Sequence, residues 1–199
     1  MDLHQFLRSR RSIRRFYPTP VPQAVVKKII NTATFAPSAH NRQPWRFVVI
    51  TRAAAKLHLA EAMGDDYRRD LEADHLPDDE IHTRLEKSRA RIISSPLIIL
   101  LCMDRTEMDL YPDARRAEAE KIMAIQSTAN AGMQMLLAAH AEGLGGVWTC
   151  APLFAPEVIR IALNLKKTWE PQAMFLVGYP ADKPKSRVRK PFQEISRFI

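Results

Sequence analysis

The feature that most constrains the fold is a helical stretch from 116 to 142. Its middle is apolar or small on nearly every side: Ile122, Met123, Ile125, Ala129, Ala131, Gly132, Met133, Leu136 and Leu137. A helix that is apolar all round has to be buried. With 199 residues the chain forms a single domain, 1–199, and offers little room for so long a helix at its centre. A second copy of the chain is therefore expected to cover part of it. Gly143, Gly145 and Gly146 follow the helix and stop it.

The other elements arrange themselves around this helix. Leu97 to Met103 is an unbroken apolar run opened by Pro96, with the length of a buried strand. Trp45–Thr51, Val147–Cys150 and Ala173–Val177 are further strand candidates, rich in aromatic and β-branched residues. Amphipathic patterning predicts helices over 2–9, 23–35, 53–63 and from Pro156 to about Asn164. Strands separated by helices give an α/β or α+β sandwich. Residues 65–91 differ: more than half are charged, of both signs, over a thin stripe of Leu71, Leu76, Ile81 and Leu85. This reads as a helical excursion over the surface, a candidate lid in which Arg68, Arg69 and Arg84 would meet an acidic substrate. No run approaches the ~20 apolar residues of a membrane span. The start shows no secretory signal, and Cys102 and Cys150 both lie in apolar stretches. A cytoplasmic chain with two buried free thiols is expected.

Four segments carry chemistry, each with a plainer reading beside it. Arg10, Arg11, Ser12 and Arg14 put three guanidiniums and a hydroxyl within five residues. Guanidinium matches phosphate through paired, charge-assisted bonds, yet a charge run also serves as a solvated face. Pro37, Ser38, His40, Asn41, Arg42 and Gln43 form a polar loop leading into a strand. Such residues bind ligand edges and also dominate ordinary turns. Gly143 to Trp148 is either a helix stop or a place where backbone approaches a flat ligand. It is not a dinucleotide fingerprint, because the glycines follow a helix instead of opening one. Lys183, Lys185, Arg187, Arg189 and Lys190 form a basic tail that would close over the same phosphate or remain solvated.

Other chemistries fit poorly. The histidines and cysteines lack zinc spacing, and there is no G-x-S-x-G elbow or phosphate-cradling lysine loop, so no metal is expected. The net charge of +8 admits nucleic acid as a partner. Strand alternation, however, would turn Trp45 and Phe47 to the core, and that argues against such a module. His140, near the end of the long helix, reads as a hydrogen-bonded structural histidine.

Taken in order, the Arg-Arg-Ser-x-Arg start, the A-P-S-x-x-N-x-Q-P-W segment, the long helix ending in G-L-G and the late G-Y-P-A resemble the nitroreductase superfamily over nearly the whole chain. The stretches Met108–Arg116, Ala151–Phe154 and Trp169–Ala173 are similar to the branch related to the C-terminal flavin domain of the coenzyme F-420 biosynthesis ligase. The resemblance implies an α+β nitroreductase-like sandwich with a central antiparallel or mixed sheet flanked by helices. It also implies non-covalent FMN and an obligate homodimer with active sites at the interface, the 180–199 tail packing on the partner. Arg10, Arg11, Ser12 and Arg14 would then hold the phosphate and pyrimidine edge. Pro37, Ser38 and Asn41 would line the ring from the second chain. Gly146 and the backbone near Trp148 would approach N(5), and Arg187 or Arg189 would return to the phosphate. NADH or NADPH would serve as donor, with a small organic acceptor reduced by a ping-pong mechanism. A dehydro-precursor of the deazaflavin coenzyme as acceptor, and a non-catalytic flavin or deazaflavin carrier, are the alternatives.

Overall fold

The computed structural model describes residues 2–184 and 187–199. Four strands form one antiparallel sheet in the order β1-β2-β4-β3: β1 (Trp45–Ile50), β2 (Leu97–Asp104), β3 (Gly145–Thr149) and β4 (Trp169–Gly178). Every residue of β2 is buried, because it lies inside the sheet with helices on both faces. Its alternation defines the two layers. Leu97, Ile99 and Leu101 join Trp45, Phe175 and Val177 under α2 (Gln23–Ala33) and α5 (Ala114–Ala141). Ile98, Leu100 and Cys102 join Val147 and Leu176 under α3 (Ala53–Ala73) and α6 (Pro156–Ala162). α1 (Leu3–Ser9), α4 (Asp78–Ile93) and α7 (Phe192–Ile195) complete the chain. This is the expected α+β sandwich. Trp45 is buried, and Phe47 packs against the same core cluster.

α5 is the main support of the sheet. A Cβ at Gly132 would lie 2.8 Å from Trp148 and 2.9 Å from both Leu101 and Phe175, so the helix sits directly on the strands. Ala124, Ala131, Met135 and Ala139 share that buried face, while Ile122, Ile125 and Met133 are exposed on the single chain. All-round burial is thus not achieved within one copy.

Three boundaries differ from the sequence reading. The helix expected over 53–63 continues through Gly64 to Ala73. Glycine there costs about 1 kcal/mol, and Leu71, buried against α4 with Ile81, offsets it. Gly145 and Gly146 belong to β3 and do not form a loop. β4 begins at Trp169, because Trp169–Pro171 pair with Cys102–Asp104 of β2 past a bulge, where β3 no longer pairs with it. Proline is tolerated where no ladder bond is required of it. The thiols also differ. Cys102 is buried, and burial pushes it up to about 12, but Cys150 is exposed past the end of β3. Among the described residues no helix is long and apolar enough to cross a membrane.

Candidate functional site

The arginine segment leaves α1 extended and is clipped to the sheet edge. Ser12 forms a parallel bridge with Gly146, and the Ile13 N–H donates to the Gly146 carbonyl at 3.1 Å. Phe16 bridges Pro180, and the Ala181 N–H donates to the Arg15 carbonyl at 3.0 Å. Ile13 is buried, so alternation turns Ser12 and Arg14 outward. The close seat needs glycine: a Cβ at Gly145 would lie 2.7 Å from both Cβ and Cγ1 of Ile13.

This clip brings two ends of the chain together. Arg10, Arg11, Ser12 and Arg14 line one cleft of about 660 Å³ with Arg187 and Arg189. Arg15, Lys183 and Asp182 complete its wall, and Asp182 is the one carboxylate there, paired with Arg15 at 3.4 Å. Arg11 is anchored by donating Nη1 to the carbonyls of Arg8 and Arg10. Partial burial lowers the Arg10 pKa, and the charges of Arg11 and Arg189 lower it further. A set of guanidiniums that crowd one another is relieved by an anion placed among them. Lys183 joins the cleft, and Lys185 lies outside the described residues.

Beneath the cleft lies a contact that local sequence did not reveal. His140 Nε2 is 2.7 Å from Ser9 Oγ, and Phe6 stacks on the imidazole at 5.0 Å. His140 thereby fastens α1 to the end of α5 and positions Arg10. Burial, and then the charge of Arg10, lower its pKa below the ordinary 6.5. The unfolded chain therefore binds more protons than the fold below pH 6.5, and stability should fall as pH drops through that value. Thermal unfolding followed from pH 8 to 5 should show this loss in the native protein and a smaller one in His140→Gln. Equal slopes would remove the assignment.

The polar loop does not share this cleft within one chain. Pro37 and Ser38 line a separate cavity of about 270 Å³ against Gln126, Ser127 and Asn130 of α5. The Ala39 N–H donates to Ser127 Oγ at 3.1 Å, and Asn130 Nδ2 donates to the Pro37 carbonyl at 3.3 Å. Ser38 Oγ accepts the Gln43 N–H at 3.1 Å, and Asn41 holds a positive φ of 54°, both features of a tight turn. The Trp148 indole is half-buried and packs edge-on to Phe175 at 4.9 Å. The Cβ position of Gly146 is directed at Leu136.

The charged segment is a helical hairpin of α3 and α4. Arg68, Arg69 and Arg84 are paired on their own helices with Glu72, Asp66 and Glu80. A cavity of about 470 Å³ lies between the hairpin and Ala151, Phe154 and Ala155. Lys87 and Arg91 line it with no carboxylate partner among the described residues and outnumber Asp70, which lines it with no cationic one.

Comparison with known proteins fits this geometry. The chain is 33% identical to an NADH dehydrogenase of Thermus thermophilus over 210 residues, covering 94% of this chain and 90% of that one. Its fold matches a BluB-like flavoprotein of Clostridium difficile 630 with a TM-score of 0.82 and 26% identity, covering 100% and 99% of the two chains. It also matches a nitroreductase-type protein of Desulfovibrio desulfuricans solved in complex with FMN, with a TM-score of 0.74 and 27% identity, covering 98% and 95%. Residues 7–179 match the nitroreductase family as a whole. The chain belongs to the nitroreductase family.

Proposed function

We propose that the protein is an FMN-dependent oxidoreductase that takes hydride from NADH or NADPH and delivers it to a small organic acceptor of the nitroaromatic, quinone or enone class. The observation that carries this reading is the cleft in which guanidiniums from residues 10–14 and 187–189 converge beside the start of β3. Its volume lies within the usual range for ligand sites, and its donors suit a phosphate dianion. The FMN complex of the Desulfovibrio relative supports the same choice.

Bound FMN supplies the redox chemistry. The chain's own part is position and charge. Arg10, Arg14, Arg187 and Arg189 hold the phosphate, Ser12 Oγ adds a hydrogen bond, and Arg11 stays fixed at the end of α1. Backbone beyond Trp148 faces the ring edge. No side chain is assigned a covalent role. Ile122, Ile125 and Met133 are exposed on the same helix that carries the Pro37–Ser38 cavity. A second copy packed there would cover these apolar side chains and bring Pro37, Ser38 and Asn41 to the ring. The α3–α4 hairpin supplies the acceptor pocket, in which Lys87 and Arg91 favour a negatively charged acceptor.

Purified protein should be yellow and should bleach when NADH or NADPH is added without oxygen. A colourless protein that takes up no FMN would overturn the reading, and a yellow one that neither nicotinamide bleaches would favour a carrier. Double-reciprocal plots with donor and acceptor varied should be parallel. Replacing Lys87 and Arg91 by alanine should raise KM for a carboxylated nitroaromatic about tenfold relative to a neutral one, the loss of one charged contact. An unchanged ratio would remove the hairpin from acceptor selection.

A further inference from the structure

The polar loop ahead of β1 is bent in a way that side chains resist. His40, Asn41 and Gln43 hold φ values of 49°, 54° and 50°, so three residues within four stand in the left-handed region. Asparagine visits that region more readily than histidine or glutamine, and runs of such residues are disfavoured for every L-residue. A bend of this kind persists only where its surroundings over-determine it.

The first half of the loop is held by Ser127 and Asn130 of α5. The second half is held by one side chain. Arg46 of β1 is half-buried, and its Nη1 donates to the Gln43 carbonyl at 3.0 Å and to the Trp45 carbonyl at 2.8 Å. The guanidinium thus ties the last left-handed residue to the first residue of the strand. Its Nε faces Asp104 Oδ2 at 3.4 Å. Asp104 ends β2 and is only 6% exposed. Its Oδ1 accepts the Thr106 N–H at 3.2 Å and the Thr106 hydroxyl at 2.9 Å, which fixes the carboxylate. Its own N–H donates to the Pro44 carbonyl at 2.7 Å, between the two carbonyls that Arg46 grips. A fixed, buried carboxylate therefore orients the guanidinium, and the guanidinium orients the loop. Arg42 and Asp109 tether the loop at a second point, but that pair is exposed and contributes little.

The bend presents a side-chain donor. Asn41 is exposed, its Oδ1 accepts from Gln43 Nε2 at 3.3 Å, and its Nδ2 has no acceptor among the described residues. A donor fixed before its ligand arrives gives more affinity than one that has to be ordered on binding.

We propose that Arg46, oriented by Asp104, is a positioning residue for the flavin. It keeps residues 40–43 in the left-handed bend and so sets where the Asn41 amide meets the ring. The inference rests on the assignment of Pro37, Ser38 and Asn41 to the flavin ring, and it requires no contact between Arg46 and the cofactor.

The test is a double-mutant cycle on the full-length protein, read by FMN titration, by the absorbance of the bound flavin and by thermal unfolding. Arg46→Met keeps the apolar stem and removes the grip. FMN affinity should fall about tenfold, the worth of one hydrogen bond carried out of place, and the flavin absorbance band should move toward that of free FMN. The unfolding temperature should fall as well, because Asp104 loses its cation. Gln43→Gly keeps the backbone N–H that Ser38 accepts and adopts a positive φ without strain. Added to Arg46→Met, it should restore most of the affinity and the band position while the unfolding temperature stays low. A purely structural role for Arg46 would not let affinity recover without stability. The proposal is overturned if Arg46→Met binds FMN as the native protein does, if the band stays in place, or if Gln43→Gly restores neither. Should Arg46→Met fail to fold, Arg46→Lys takes its place with the same readouts, since a lysine that faces Asp104 lacks the second nitrogen needed to hold the carbonyls. A native protein that takes up no FMN removes the flavin reading and this inference together. A yellow one whose Arg46 variants behave as the native removes this inference alone.

Discussion

Replacing Arg10 and Arg14 together by alanine is expected to weaken FMN binding about 10²–10⁴-fold, from two charge-assisted hydrogen bonds of roughly 1.5–3 kcal/mol each. The same change should leave the flavin-free protein no less stable. Arg10 is held partly buried beside Arg11 and Arg189, and its lowered pKa records how poorly a third positive charge is tolerated there. An anion removes that repulsion, and so does deletion of the arginine. Affinity and stability should therefore move independently, which loss of folding would not produce. Fluorescence titration of FMN reads the first and thermal unfolding of the flavin-free protein the second. The double lysine variant should recover part of the affinity, since lysine keeps the charge and loses the paired geometry. Unaltered FMN affinity in the alanine variant would remove the arginines from the site.

Gly145→Ala should have the next largest effect, acting at a residue assigned no ligand contact. The new methyl would lie 2.7 Å from two carbons of Ile13, against a buried β-branched side chain with little room to give. Overpacking of this kind costs about 1–3 kcal/mol. Relief by outward movement would break the 3.1 Å bond from Ile13 to Gly146 and carry the neighbouring arginines with it. Both the unfolding temperature and FMN affinity should fall. Adding Ile13→Ala, which empties the contested space, should restore part of the affinity through a favourable coupling. If Gly145→Ala binds FMN as the native protein does, the clip does not control the cleft.

What sequence made legible followed from periodicity and local chemistry. Leu97 to Met103 could be read as buried on both faces because no polar residue interrupts it, whereas the Asp113 side chain that caps the Arg116 N–H at 3.0 Å and starts α5 at Ala114 was not read as a cap. The three-arginine cluster pointed to phosphate through the chemistry of guanidinium. Contacts made by distant partners were not legible. The glycines after α5 read as a helix stop because Ile13, whose side chain needs their space, lies over 130 positions earlier. His140 could be recognised as structural, but Ser9 and Phe6 could not be named as its partners. The arginines of residues 65–91 looked available to a substrate until their carboxylates, three or four residues away, proved to be oriented toward them. The placement of Pro37 and Ser38 away from the arginines follows from tertiary packing against α5, which no local pattern records.

The clip of residues 12–16 onto β3 and onto 180–181 also governs when the cleft can exist. Its walls come from residues 10–15 and 182–189, segments far apart in sequence that meet only where β3 seats the first of them. Closing so long a loop is an entropic burden that only a finished sheet can offset. Anion binding at this cleft therefore has to await the pairing of β3 with β4, and a chain in which residues 187–189 have not reached residues 10–14 carries half a site. Flavin uptake would consequently report completed folding, and a truncated product would stay colourless even with its sheet intact.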